Sequence, residues 1–165
     1  MKTGLLYLIN GIMHCLPETR LFPIKRSLLR LCGIKVGINT RICSSVRIMG
    51  NADLNIGDNV WIGHDTLIIC SATVTIGDNV NIAPRCYLGT GTHLITPYSD
   101  SVAGMGQSYP ITIENGAWIC AASTILAGSK VGSLSIVAAG AVVKGIVQDN
   151  EMVGGVPARH IKFIK

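Results

Sequence analysis

The side chains of this 165-residue sequence best suited to moving a proton near neutral pH are four histidines, His14, His64, His93 and His160. His93 ends the segment Gly89-Thr90-Gly91-Thr92-His93, and the seventeen residues after it, LITPYSDSVAGMGQSYP, are rich in Gly, Ser and Pro. A histidine in that place is either a proton acceptor for a bound group or a surface residue at the start of a loop. A catalytic zinc needs three protein ligands. His64 and His93 alone do not supply them, so no metal site is expected. The six cysteines, Cys15, Cys32, Cys43, Cys70, Cys86 and Cys120, form no C-x-x-C pair. None stands next to a histidine in register, which argues against covalent catalysis by a thiol. They read as reduced, mostly buried small hydrophobes of a cytoplasmic protein.

What must position His93 is a repeat. Apolar aliphatics recur at Val36, Ile42 and Ile48, then Ile56, Ile62 and Ile68, then Ile76, Ile82 and Leu88. After the loop they resume at Ile113, Ile119, Ile125, Val131, Val137 and Val143. Spacing within each run is six, while Val36, Ile56 and Ile76 stand twenty apart. The segment Ile56-Gly57-Asp58-Asn59-Val60 returns as Ile76-Gly77-Asp78-Asn79-Val80. Four residues after each aliphatic comes a second, usually small, inward position, as at Thr66, Cys86, Ala117, Ser123 and Ala141. Helices want apolar recurrence at three and four, and lone strands at two. A period of six suits a chain that lays down a short strand, turns a corner and repeats, with one aliphatic per strand facing a shared axis. The expectation is a mainly β solenoid over residues 34–162, with a protruding loop at 94–110 and a short tail at 163–165.

Composition agrees: aromatics are 5% and glycines number 19, a profile of thin stacked strands. Residues 1–33 read as a helical cap, with one helix from about Thr3 to Cys15 and a second from about Pro23 to Cys32, closed by Gly33. These helices would cover the open end of the solenoid. Their basic, amphipathic character also suits peripheral contact with an anionic membrane face. No apolar run reaches the ~20 residues of a membrane span. The net charge of +5 comes without a basic run interleaved with aromatics, so nucleic acid is not an expected partner, and an anionic small molecule remains open.

The repeat resembles the hexapeptide-repeat acetyltransferase family, whose motif is an aliphatic, a Gly or small or acidic residue, two free positions and a small residue. The resemblance implies a left-handed parallel β-helix, an exception to the usual right-handed crossover. Several segments narrow it: Val60-Trp61-Ile62-Gly63-His64-Asp65, Ile82-Ala83-Pro84, Thr90-Gly91-Thr92-His93 and Ile113-Glu114-Asn115-Gly116-Ala117-Trp118-Ile119. Together with the closing Gly155-Val156-Pro157-Ala158-Arg159, they look like the sugar and polysaccharide O-acetyltransferase branch of maltose, galactoside and colanic-acid enzymes.

That resemblance implies His93 as general base, taking the proton of an acceptor that attacks the thioester of acetyl-CoA. It implies Asp65 in the active-site groove and a homotrimer with acetyl-CoA between neighbouring subunits. By position, Trp118, Ala121, Ala139, Lys144, Arg159 and Lys162 would meet the cofactor, the basic ones at its phosphates. For Asp65 the plain alternative is a solvated corner residue, and for Trp118 a strand residue at a subunit interface. The chain departs from the family where it has Cys120 in place of Gly, Lys144-Gly145 in place of Thr-Lys, and Gln148-Asp149 in place of Pro-Pro.

Three rivals are weighed against a carbohydrate acceptor. One is an acetyltransferase for a non-sugar small molecule such as an antibiotic. Another is a non-catalytic scaffold, which needs neither the loop nor the terminal motif. The last is zinc hydration chemistry on the same solenoid, which asks for a histidine where this chain has Ile69.

Overall fold

The computed structural model describes residues 1–97 and 100–164; Tyr98 and Ser99 of the expected loop and Lys165 of the expected tail lie outside them. Three parallel sheets form the sides of a coil. The first stacks Val36, Ile56, Ile76, Ile113, Val131 and Val147 in register. The second stacks Ile42, Ile62, Ile82, Ile119, Val137 and Val153. The third stacks Ile48, Ile68, Leu88, Ile125 and Val143. Every one of these side chains is buried, and they form one core. The expected β-solenoid is therefore present, with each inward aliphatic resting on its counterpart in the next coil.

The small inward positions are buried too, and their hydroxyls are satisfied. Ser123 donates to the Cys120 and Ala138 carbonyls, Ser129 to Val143 and Ser135 to Gly132. A hydroxyl in a core is tolerated because it finds a carbonyl at each corner. The buried thiols behave as hydrophobes: burial pushes Cys43 and Cys86 up to about 11 and Cys70 up to about 12. Cys15 is exposed and Cys120 half-buried, and all six are free.

The repeated Ile-Gly-Asp-Asn-Val has a physical cause at each letter. The Asp58 carboxylate accepts the Ile38 N–H at 2.7 Å, Asp78 accepts that of Asp58 at 2.7 Å, and Asn115 accepts that of Asp78 at 2.8 Å. Each acidic or amide side chain thus bonds the backbone of the coil before it. Gly57 precedes Asp58 because a Cβ there would run into the Asp78 carboxylate and the Gly77 backbone. Asn59 and Asn79 take φ of 56° and 57°, a left-handed conformation that asparagine tolerates at a turn.

Helices α1 (Thr3–His14) and α2 (Phe22–Leu31) close the first end of the coil. An exposed sheet edge carries unpaired backbone groups, and the helices supply partners for all three sheets. The Asn10 amide donates to the Ile48 carbonyl at 2.7 Å and accepts the Ile48 N–H at 3.2 Å, as a neighbouring strand would. Arg30 donates to the Val36 carbonyl and Arg26 to that of Thr40. The fully buried Lys25 ammonium donates to the Pro17, Glu18 and Ile42 carbonyls. Gly33, at φ 85°, ends α2: its N–H bonds the Arg30 carbonyl, and that of Ile34 bonds Leu29. Among the described residues no helix is long and apolar enough to cross a membrane.

At the far end the chain doubles back. Strand Arg159–Phe163 pairs antiparallel with Glu151–Gly154, so the last residues join the second sheet instead of trailing away.

Candidate active site

The segment expected as an irregular loop is built on a two-stranded arm. Strand Gly91–Ile95 pairs antiparallel with Ala103–Ser108, setting Thr92 opposite Gln107 and His93 opposite Gly106, with a register shift between His93 and Ile95. Its base is fixed by Thr90. The buried Thr90 hydroxyl accepts the N–H groups of Ser71 and Ala72 and donates to the Ile69 carbonyl. The Thr90 carbonyl accepts the Tyr109 N–H at 2.9 Å. Entry and exit of the arm are therefore tied to one residue of the coil.

On this arm His93 Nδ1 lies 2.8 Å from the Gly104 carbonyl oxygen. A carbonyl only accepts, so Nδ1 carries a proton, and in the neutral ring the lone pair is on Nε2. His93 lines a groove of about 350 Å³ with Gly91, Thr92, Gln107, Tyr109, Leu126, Ala127 and Lys144. The Tyr109 hydroxyl donates to the Gln107 side-chain oxygen, which holds the two together on one wall. Leu126 and Ala127 give a second, apolar wall, and Lys144 places a cation at the groove.

The residues singled out in the sequence fall on different edges of the coil. His93 and Lys144 stand at the edge between the third and first sheets and share the groove. Asp65, Ala121 and Ala139 stand at the edge between the second and third sheets. There the Ala121 carbonyl accepts the Gly140 N–H, which stacks the small residues one coil apart. Asp65, at φ 57°, lines another cavity, against α1, with Ser45 Oγ accepting its backbone N–H. Trp118 is 49% exposed on the second sheet, paired with Asn81 and Ile136. Arg159 and Lys162 are exposed on the returning strand. Within one chain, then, His93 and Asp65 do not meet.

Sequence reasoning missed the Gly104 carbonyl, Gln107 and Tyr109, because no repeat announces the pairing of the arm. It also missed a polar cluster under α1. Glu18 Oε2 lies 3.2 Å from His64 Nδ1 and accepts from the Ser45 N–H and hydroxyl. Burial acts to raise the Glu18 carboxyl, but those hydrogen bonds and His64 hold it below its ordinary value. Glu18, Cys43 and His64 bring potential ligand atoms within 4.8 Å of one another. The Lys25 ammonium stands beside this cluster, donating to the Glu18 backbone carbonyl at 2.7 Å.

Comparison with known proteins places this geometry. No protein-family model matches the chain. It is 34% identical over 113 residues to a Saccharomyces cerevisiae protein named as an acetyltransferase, covering 68% of this chain and 57% of that one. The chain thus spans little more than half the length of that relative. It is 33% identical over 142 residues to the galactoside O-acetyltransferase of Escherichia coli, covering 85% of this chain and 68% of the enzyme. A hexapeptide-repeat acetyltransferase of Vibrio cholerae, solved with acetyl coenzyme A, superposes with a TM-score of 0.77 at 25% identity, covering 99% of this chain and 87% of that one. The protein belongs to the hexapeptide-repeat acetyltransferases, in the branch that holds the sugar O-acetyltransferases.

Proposed function

We propose that the protein transfers an acetyl group from acetyl-CoA to a carbohydrate hydroxyl, with His93 as general base. The observation that carries this reading is the 2.8 Å bond from His93 Nδ1 to the Gly104 carbonyl, which leaves Nε2 as the proton acceptor beside the groove. Acetyl-CoA supplies an acyl carbon activated as a thioester. Lys144 would meet a phosphate, while Leu126 and Ala127 would flank the pantetheine arm. His93 Nε2 removes the proton of the acceptor hydroxyl as its oxygen bonds the acetyl carbon. When the carbon–sulfur bond breaks, His93 returns that proton to the departing sulfur.

The division of residues between two edges of the coil supports a site shared between copies of the chain. An edge carrying His93 and Lys144, set against a neighbour's edge carrying Asp65, Ala121 and Ala139, gathers base, carboxylate and small residues into one groove. A cyclic trimer repeats that contact with closed symmetry. The name of the Escherichia coli relative supports a sugar acceptor.

The test is release of free thiol from acetyl-CoA against a panel of sugars, with His93→Ala beside the wild type. Removing a general base lowers turnover by about 10²- to 10⁴-fold, with fold and CoA binding retained. Turnover near wild type in that variant overturns the assignment.

A further inference from the structure

A cavity of about 560 Å³, larger than the His93 groove, lies between α1 and the first two coils. Its lining contains two kinds of polar residue. Asn10, Ser44 and Ser45 are engaged by the fold, through Ile48, the Pro17 carbonyl and Glu18. Tyr7, His14, Arg47 and Asp65 are not: among the described residues, the Tyr7 hydroxyl, His14 ring, Arg47 guanidinium and Asp65 carboxylate make no hydrogen bond or ion pair. Arg47 and Asp65 carry opposite charges into one cavity and do not pair with each other. The space beside Gly11, which lines the cavity, is open: a Cβ there would meet nothing within 4 Å.

We infer that this cavity binds the acceptor and that the acceptor is an anionic sugar, a uronic acid or a sugar phosphate; this rests on the acetyl-transfer reading above. The guanidinium fork of Arg47 matches the paired oxygens of a carboxylate or phosphate. His14 adds a ring nitrogen from the α1 side of the cavity. Asp65 accepts from sugar hydroxyls, and the Tyr7 ring offers an apolar face with a polar tip. A neutral sugar would leave Arg47 without a partner. An acid lacking hydroxyls would leave Asp65 without one.

The experiment compares glucuronate, glucose 1-phosphate and glucose as acceptors in the thiol-release assay. Binding of each is also read by saturation-transfer NMR without acetyl-CoA. One or both anionic sugars should show a KM at least tenfold below that of glucose, and which one it is identifies the oxyanion. Arg47→Gln should abolish that difference by raising KM with kcat little changed, and should erase the NMR signal of the anionic sugar. Gly11→Leu should raise KM for every sugar and leave that of acetyl-CoA unchanged. Equal use of glucose with no effect of Arg47→Gln overturns the inference and leaves acetyl transfer standing. Absence of sugar binding by NMR also overturns it. Acetyl transfer to sugars itself fails only if no sugar releases thiol, and the NMR arm then still decides the cavity.

Discussion

His93 Nδ1 is hydrogen-bonded at 2.8 Å to the carbonyl of Gly104, eleven residues away on the opposite strand of the arm. The tautomer of His93 is therefore set by the register of a hairpin outside the coil. Gly104 has no side chain for a local reason: a Cβ would sit 2.6 Å from Thr96 Cγ2 and 2.8 Å from its Oγ1. Gly104→Val should push the strands apart and lower kcat about tenfold or more, the scale of a mispositioned base. The melting temperature, governed by the coil core, should move little. A large drop in melting temperature with kcat intact would contradict this division of labour.

A groove shared between copies makes a prediction that a site within one chain does not. His93→Ala and Asp65→Ala should each be impaired alone, yet regain activity when the two chains are coexpressed. With random assortment in a cyclic oligomer, roughly a quarter of the sites pair an intact His93 with a neighbour's intact Asp65. No recovery above the single variants would overturn the shared groove.

The strand-like amide of Asn10 gives the helical cap a measurable value. Asn10→Leu removes both bonds to Ile48 and leaves its N–H and carbonyl unpaired at a buried edge. A loss of about 1–3 kcal/mol is expected, read as a lower denaturant midpoint.

Acid should loosen the same cap. Glu18 is held below the ordinary value of 4.5 in the fold, so its contribution is present above that pH and is lost as pH falls through the lower, folded value. Trp61 reports on this, because its ring packs edge-on against Phe22 of α2 with centroids 6.3 Å apart. In a Trp118→Phe background, Trp61 fluorescence should change in that acid window, and Glu18→Gln should show the change already at neutral pH. A Glu18→Gln spectrum identical to its parent at pH 7 would argue against the link.

These outcomes separate what the sequence could convey from what it could not. The inward rows were legible because stacking makes every coil solve the same packing problem with Ile, Leu or Val at a spacing of six. That His93 and Asp65 stand on different edges of the coil emerged only from the order of the strands in the three sheets. The reason for Ile-Gly-Asp-Asn was not legible: the Asp78 carboxylate serves the N–H of Asp58, twenty residues earlier, and only the stacked coils bring the two together. Neither was the partner of His93, since Gly104 lies in a hairpin whose register shifts between His93 and Ile95. The cavity of Tyr7, His14, Arg47 and Asp65 joins a helix without a repeat to outward-facing coil residues, and no spacing marks such a meeting.

Both termini bear on how the molecule keeps company. A parallel coil is an open template at each end, able to recruit another chain strand by strand. Here the beginning is sealed by Asn10, Arg26 and Arg30. At the other end, Arg159–Phe163 turns antiparallel, the Ala158 N–H and Gly155 carbonyl pair with Val142, and the first sheet stops on the two-residue strand Ile146–Val147. These features disfavour strand-by-strand growth along the axis. The sides are left as the surfaces through which copies can associate, and the sides are where His93 and Asp65 face outward.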